Sequence, residues 1–123
     1  MEFDGLSKDV IGLAINVHRE LGPGLLESNY EQCLEYEFAA NGIQYTRQKT
    51  LPVGYKEKYI DCGYRIDFMI EDKLIIELKS VDLLLPIHKA QLLTYMRLAE
   101  CKTGLLLNFN VKLLKNGIRR FVL

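Results

Sequence analysis

The sequence predicts an α/β fold in which helices flank a mixed sheet, and three observations carry that reading. Apolar residues recur at helical spacing at Leu6, Val10, Leu13, Ala14 and Val17, and again at Leu26, Tyr30, Leu34 and Phe38. The middle of the chain, "YRIDFMIEDKLIIELKS" at residues 64–80, alternates with the period of two that strands have. A third helical stretch separates this from "GLLLNF", whose consecutive leucines fit a strand buried on both faces. Helices and strands arranged in this order pack as layers around one sheet.

Residues 5–20 read as the first helix, with Ser7 or Asp4 available to cap its start. "LGPG" at 21–24 breaks it. A second helix over 27–40 stops at Asn41-Gly42. "IQYTRQKTLPVGY" and "KYIDCGY" are short, β-rich and punctuated by Pro52, Gly54 and Gly63. Strands follow at 64–70 and 74–79. Pro86 opens a helix to about residue 100, because proline suits a first turn. "KTGLLLNFNV" is the next strand, "KNG" a turn and "IRRFVL" a last strand. The predicted order is α-α-β-β-β-α-β-β.

A chain of 123 residues fits one domain, residues 1–123, around one core. Sixteen basic and sixteen acidic side chains cancel, which argues against a bulk electrostatic grip on nucleic acid or on an anionic membrane. A local basic patch remains open. Cys33, Cys62 and Cys101 are odd in number and match no zinc or redox spacing, so they read as idle thiols. The start, "MEFDGLSKDV", has no signal-peptide pattern, and no apolar run spans a bilayer. A cytoplasmic protein without membrane attachment is expected.

The hairpin holds the chemistry. Tyr64, Ile66, Phe68 and Ile70 alternate with Arg65, Asp67 and Met69, while Leu74, Ile76 and Leu78 alternate with Ile75, Glu77 and Lys79. The even-numbered set looks like one continuous core face. Both strands can share it only across an odd loop, such as Glu71-Asp72-Lys73, or a bulge. Ile70 then opposes Leu74, Asp67 opposes Glu77, and Lys79 follows on the same side. Facing carboxylates repel unless something offsets them. A divalent cation would, and one or two carboxylates with waters and phosphate are the usual magnesium arrangement. The plainer reading is a solvated strand face with an incidental Glu–Lys pair.

In the helix from Pro86, an arc of Ile87, His88, Gln91, Leu92, Tyr95, Leu98 and Ala99 places an amide among apolar groups. A buried amide without partners costs of order 1–3 kcal/mol, so something polar should meet that face. His88 and His18 have no second metal ligand at a useful spacing and read as structural. Glu27 heads the Tyr30–Leu34–Phe38 stripe, as a favourable charge at a helix N-terminus or as a third carboxylate facing the site.

These residues carry a resemblance. Asp67 followed by Glu77-Leu78-Lys79 resembles the core of the PD-(D/E)XK nuclease superfamily, with Ile66 in place of the proline of its name. Gln91 to Tyr95 resembles the Q-x-x-x-Y motif of its RecB-like members, and "GLLESNY" resembles the GxxExxY signature of a small family within it. The likeness runs through "VHRELGPGLLESNYEQCLEYEF", the hairpin, "HKAQLLTYMRL" and "GLLLNFNVKLLKNGIRR". It implies a restriction-endonuclease-like α-β-β-β-α-β core and a divalent metal, Mg2+ or Mn2+. Asp67, Glu77 and the Leu78 carbonyl would be its ligands, with Glu27 as the acid from the first core helix. Lys79 would be the catalytic lysine, and Gln91 and Tyr95 would support the site and approach the nucleic-acid backbone.

The expected function is metal-dependent phosphodiester hydrolysis of nucleic acid, DNA ahead of RNA. Arg47, Lys49, Lys56 and Lys58, with Lys112, Lys115, Arg119 and Arg120, are candidate backbone contacts, or plain surface charge. The alternative is a catalytically silent module on the same fold that binds nucleic acid or protein. A subunit this small could also extend its surface as a homo-oligomer.

Overall fold

The computed structural model describes residues 4–123; residues 1–3 of the expected domain, and with them the first part of "MEFDGLSKDV", lie outside the described residues. Helix α1 spans Gly5–Leu21 and α2 spans Glu27–Ala40. Asp4 caps α1 by accepting the Ser7 N–H at 2.8 Å, which satisfies one of the open donors of the first turn. Strands β1 (Tyr45–Thr50), β2 (Val53–Tyr55), β3 (Lys58–Ile60), β4 (Arg65–Ile70) and β5 (Leu74–Lys79) precede α3 (Pro86–Leu98). Strand β6 (Thr103–Asn108), a short 3-10 turn (Leu114–Gly117) and β7 (Ile118–Val122) complete the order.

Five strands form one mixed sheet in the order β1-β4-β5-β6-β7. Only β5 and β6 run parallel, as the α3 crossover between them requires; the other pairs are antiparallel. Helices α1 and α2 cover one face, where Val10, Ala14, Tyr30, Leu34 and Phe38 meet Phe68, Ile76, Leu105 and Leu107. Helix α3 covers the other, where Leu92, Tyr95 and Met96 meet Met69, Ile75 and Leu106. Two coats explain why Leu105, Leu106 and Leu107 are all buried, as their run predicts.

Three expectations are corrected. The predicted order has three strands before α3; among the described residues there are five, because β2 and β3 form a separate two-stranded hairpin. The even-numbered face of β4 is not continuous, since Ile66 packs with the α3 cluster while Phe68 packs with α1 and α2. The strand turns over at Asp67, where alternation counted along the sequence assumes an unbroken ladder. The predicted α3 arc is also rotated: Leu92, Tyr95 and Met96 are buried, whereas Ile87 is 66% exposed and Gln91 is exposed.

The 3-10 turn locks the end of β6. Gly117 lies against the Asn108 carbonyl so closely that a Cβ would collide with that backbone oxygen. Asn108 pairs in register with Lys79, so this contact also supports the site. Gly117→Ala is expected to destabilise the protein by about 3 kcal/mol or more, since backbone cannot yield as a side-chain tip can. Denaturant unfolding measures it, and an unchanged midpoint would contradict this packing.

Candidate active site

The site forms where the β4–β5 ladder opens. Ile70 pairs with Leu74, Met69 with Ile75 and Phe68 with Ile76, the register that an odd loop at Glu71-Asp72-Lys73 predicts. One step further, side chains replace the ladder bonds. The Asp67 N–H donates to Glu77 Oε2 at 2.8 Å, and the Leu78 N–H donates to Asp67 Oδ2 at 2.9 Å. Each carboxylate thus closes the backbone of the opposite strand, which holds both acids near the sheet plane.

Glu77 is only 6% exposed. Burial pushes its carboxyl up to about 9, and the neighbouring Asp67 charge adds to the shift. Burial also raises Asp67, against the Leu78 N–H, which favours its charged form. Among the described residues no salt bridge reaches either acid. Lys79 is half-buried, and its charge favours the ionised forms of Glu77 and Glu27. Its carbonyl accepts the Phe109 N–H at 2.9 Å, which pins the end of β5 to β6.

Local chemistry brings Glu27 to this place. Gly24 takes a left-handed φ of 97°, which turns the chain into α2. The buried Tyr30 hydroxyl donates to the Gly22 carbonyl at 2.5 Å and accepts the Leu25 N–H at 3.2 Å, fastening the loop from one helical turn below. The Ser80 hydroxyl donates to the Leu25 carbonyl at 2.6 Å and ties the loop to the end of β5. Glu27 therefore stands at the lip of the site, its carboxyl raised first by desolvation and lowered by Lys79.

Two residues here were missed by the sequence reading. Glu31 is buried at the back of the cleft, where its carboxylate accepts Arg47 Nε and Nη2 at 3.1 and 2.8 Å and also bonds the Gln48 amide. Gln48 lies in β1 with a φ of 53°, and its amide also donates to Asp67 Oδ1 at 3.2 Å. Left-handed backbone is strained for a residue with a Cβ and persists where contacts over-determine it. The available signal is the helical stripe Glu27, Glu31, Glu35, since like charges one turn apart need a cation. Arg47 supplies it by pairing with Glu31 and Glu35 at 2.8 and 3.0 Å, which engages the guanidinium within the protein.

Lys49 is half-buried, its ammonium 3.8 Å from Asp72. On α3 the Gln91 amide donates to the Tyr95 hydroxyl at 3.0 Å, which answers its polar need at the surface rather than in the core. Tyr95 is buried beside the site: desolvation and then Glu77 raise its hydroxyl pKa. The histidines are structural. His18 Nε2 lies 3.1 and 2.8 Å from the Phe109 and Val111 carbonyls, and His88 Nδ1 accepts the Leu85 N–H at the start of α3.

Glu27, Ser28, Glu31, Gln48, Asp67 and Leu78 line a cleft of about 220 Å3. Larger hollows of about 380 and 540 Å3 lie along α1, away from these acids. The donor set at the junction is hard oxygen, a buried carboxylate and a half-buried one with no ion-pair contact among the described residues, and this fits Mg2+ or Mn2+. Among the described residues no three His, Cys, Asp or Glu side chains are gathered tightly enough to hold a metal alone. A cation here would use two carboxylates and leave its other positions to a backbone carbonyl, water and substrate.

Among the described residues no helix is long and apolar enough to cross a membrane. No curated protein and no solved structure matches the chain. A family model described as the PD-(D/E)XK nuclease superfamily matches residues 4–121, and the five-stranded mixed sheet between helices agrees with the restriction-endonuclease-like fold of that group. With all but a few terminal residues inside the match, the chain belongs to the PD-(D/E)XK nuclease superfamily, whose members are usually phosphodiester hydrolases that act on nucleic acid with divalent metals.

Proposed function

We propose that this chain is a Mg2+- or Mn2+-dependent nuclease of the GxxExxY branch, a single cytoplasmic domain that hydrolyses phosphodiester bonds in DNA ahead of RNA. The observation that carries the reading is the Asp67–Glu77 junction: two acids held together by backbone bonds and desolvated, with Lys79 nearby but no ion-pair contact to either acid among the described residues. Stability alone would not keep such a pair, because burying like charges is costly.

Asp67, Glu77 and the Leu78 carbonyl would hold the cation, with Glu27 at its edge. When bound, the cation would supply positive charge that favours deprotonation of water and offsets charge on the scissile phosphate. Lys79, two residues beyond Glu77, would orient the attacking water and neutralise developing negative charge. Gln48 and Glu31 hold Asp67 in place from β1 and α2. Gln91 and Tyr95 would steady the phosphate-facing side from α3, and Lys49 would meet a flanking phosphate. Arg47, tied to Glu31 and Glu35, would act by positioning those acids rather than by reaching substrate.

Incubation with single- and double-stranded DNA and RNA tests the function. Cleavage should appear with Mg2+ or Mn2+, vanish with chelator and fall at least a hundredfold in Asp67→Ala. Cleavage unchanged in that variant would remove the mechanism. Nucleic-acid binding with steep salt dependence but no cutting would return the silent-module reading.

A further inference from the structure

Strands β2 and β3 do not belong to the sheet or to either core cluster. They prolong the β1–β4 hairpin. Thr50 pairs with Arg65, the Leu51 N–H donates to the Tyr64 carbonyl at 2.9 Å, and after a bend at residues 61–63 the ladder resumes with Val53 opposite Ile60. Gly63 takes a φ of 78° in that bend, where its N–H bonds Asp61 Oδ1. The result is an arm rooted in the two strands that carry Gln48 and Asp67.

A two-stranded ribbon is marginal in water, and an exposed one gains nothing from large apolar groups unless something covers them. Tyr59 is nevertheless 84% exposed and Tyr55 60% exposed. Tyr59 lies over Gly54, whose missing side chain leaves the ring bare on one face of the ribbon. Tyr55 sits on the other face opposite Lys58, with the Lys56 ammonium 5.4 Å above its ring, along a groove of about 660 Å3 that Ile60 also lines. At the root, the half-exposed Tyr64 ring stands 6.1 Å from Tyr95. Tyr64 is three residues from Asp67, about 10 Å along the strand.

Tyr55 and Tyr59 flank Lys56-Glu57-Lys58, whose two ammonium groups outnumber the one carboxylate, and rings beside cations suit unpaired nucleotides. Bases stack on the rings, and cations follow the phosphates, whereas a duplex keeps its base faces hidden. We propose that this arm is a stacking platform for single-stranded nucleic acid, seating unpaired bases next to the phosphate presented at Asp67 and Glu77. The proposal names the substrate class of the nuclease read above and rests on that reading for the placement of the phosphate.

The test is fluorescence anisotropy with labelled oligo-deoxythymidine, oligo-uridine and a DNA duplex, all in chelator, with cleavage in Mg2+ measured separately. The full chain should prefer the single strands. Tyr55→Ala with Tyr59→Ala should weaken them at least tenfold, Tyr55→Phe with Tyr59→Phe should stay within twofold, and the melting temperature should not move. The two single strands show whether DNA and RNA share the platform. No single-strand binding, equal loss on duplex, or unchanged binding in the alanine variant would overturn the proposal. So would a dimer in light scattering that the alanine variant splits, since the arm would then meet a second copy. Binding that follows the tyrosines without any cleavage would keep the platform and reject the nuclease; cleavage indifferent to them would do the reverse.

Discussion

Glu77→Gln is expected to stabilise the metal-free protein at pH 8 and, in the same molecule, to lower Mg2+-dependent cleavage by on the order of 10²–10³-fold. The opposite signs follow from one cause. In the folded chain burial holds the Glu77 carboxyl up to about 9, against an ordinary glutamate value of 4.5. Between those values the folded state keeps a proton that the unfolded state releases. Stability linked to this group is therefore complete below about pH 4.5 and drains as pH rises towards 9, by at most about 1.4 kcal/mol per pH unit. The amide is neutral at every pH and can still accept the Asp67 N–H, so the slope should flatten. Thermal melts from pH 5 to 9 with chelator measure this. Mg2+ should flatten the wild-type slope too, since it favours the ionised pair, and it should leave the variant unmoved. A variant less stable than wild type at pH 8 would mean that the carboxyl serves the fold rather than the site.

Lys79→Ala should reduce cleavage by roughly 10²–10⁴-fold, the range for a group that manages protons or charge at the reacting centre. Mn2+ affinity should hold or rise, because an ammonium that competes with the cation for Glu77 and Glu27 is gone. The split between the two readouts separates a reacting lysine from a structural one. Loss of metal binding together with activity would show that Lys79 organises the acids instead. Unchanged cleavage would remove it from the chemistry.

The paired acids were legible because parity is a strong constraint. Ile70, Leu74, Ile76 and Leu78 need one face, and a three-residue loop is the simplest way to give it to them. That places Asp67 beside Glu77 before any coordinates are known. The same counting misplaced Ile66, because the face reverses at Asp67, where carboxylates replace the ladder bonds. Gln48 was out of reach for a related reason: nothing in "TRQKT" announces a left-handed residue held by contacts from α2 and β4. Glu31 drew no attention in the sequence because the partner that marks it, Arg47, reaches it from a different element, β1. Gln91 was read as buried because its helix was assumed to be covered along its whole length, yet α3 is covered mainly at Leu92, Tyr95 and Met96.

The central claim is that the acids at the opened β4–β5 ladder seat one divalent cation. A crystal of the protein soaked in Mn2+, with anomalous scattering recorded, addresses it most directly. The account predicts a peak bonded to carboxylate oxygens of both Asp67 and Glu77, which disappears in Asp67→Asn. A crystal that takes up Mn2+ elsewhere, or a pair that stays protonated and bare at pH 8 in excess metal, would contradict it.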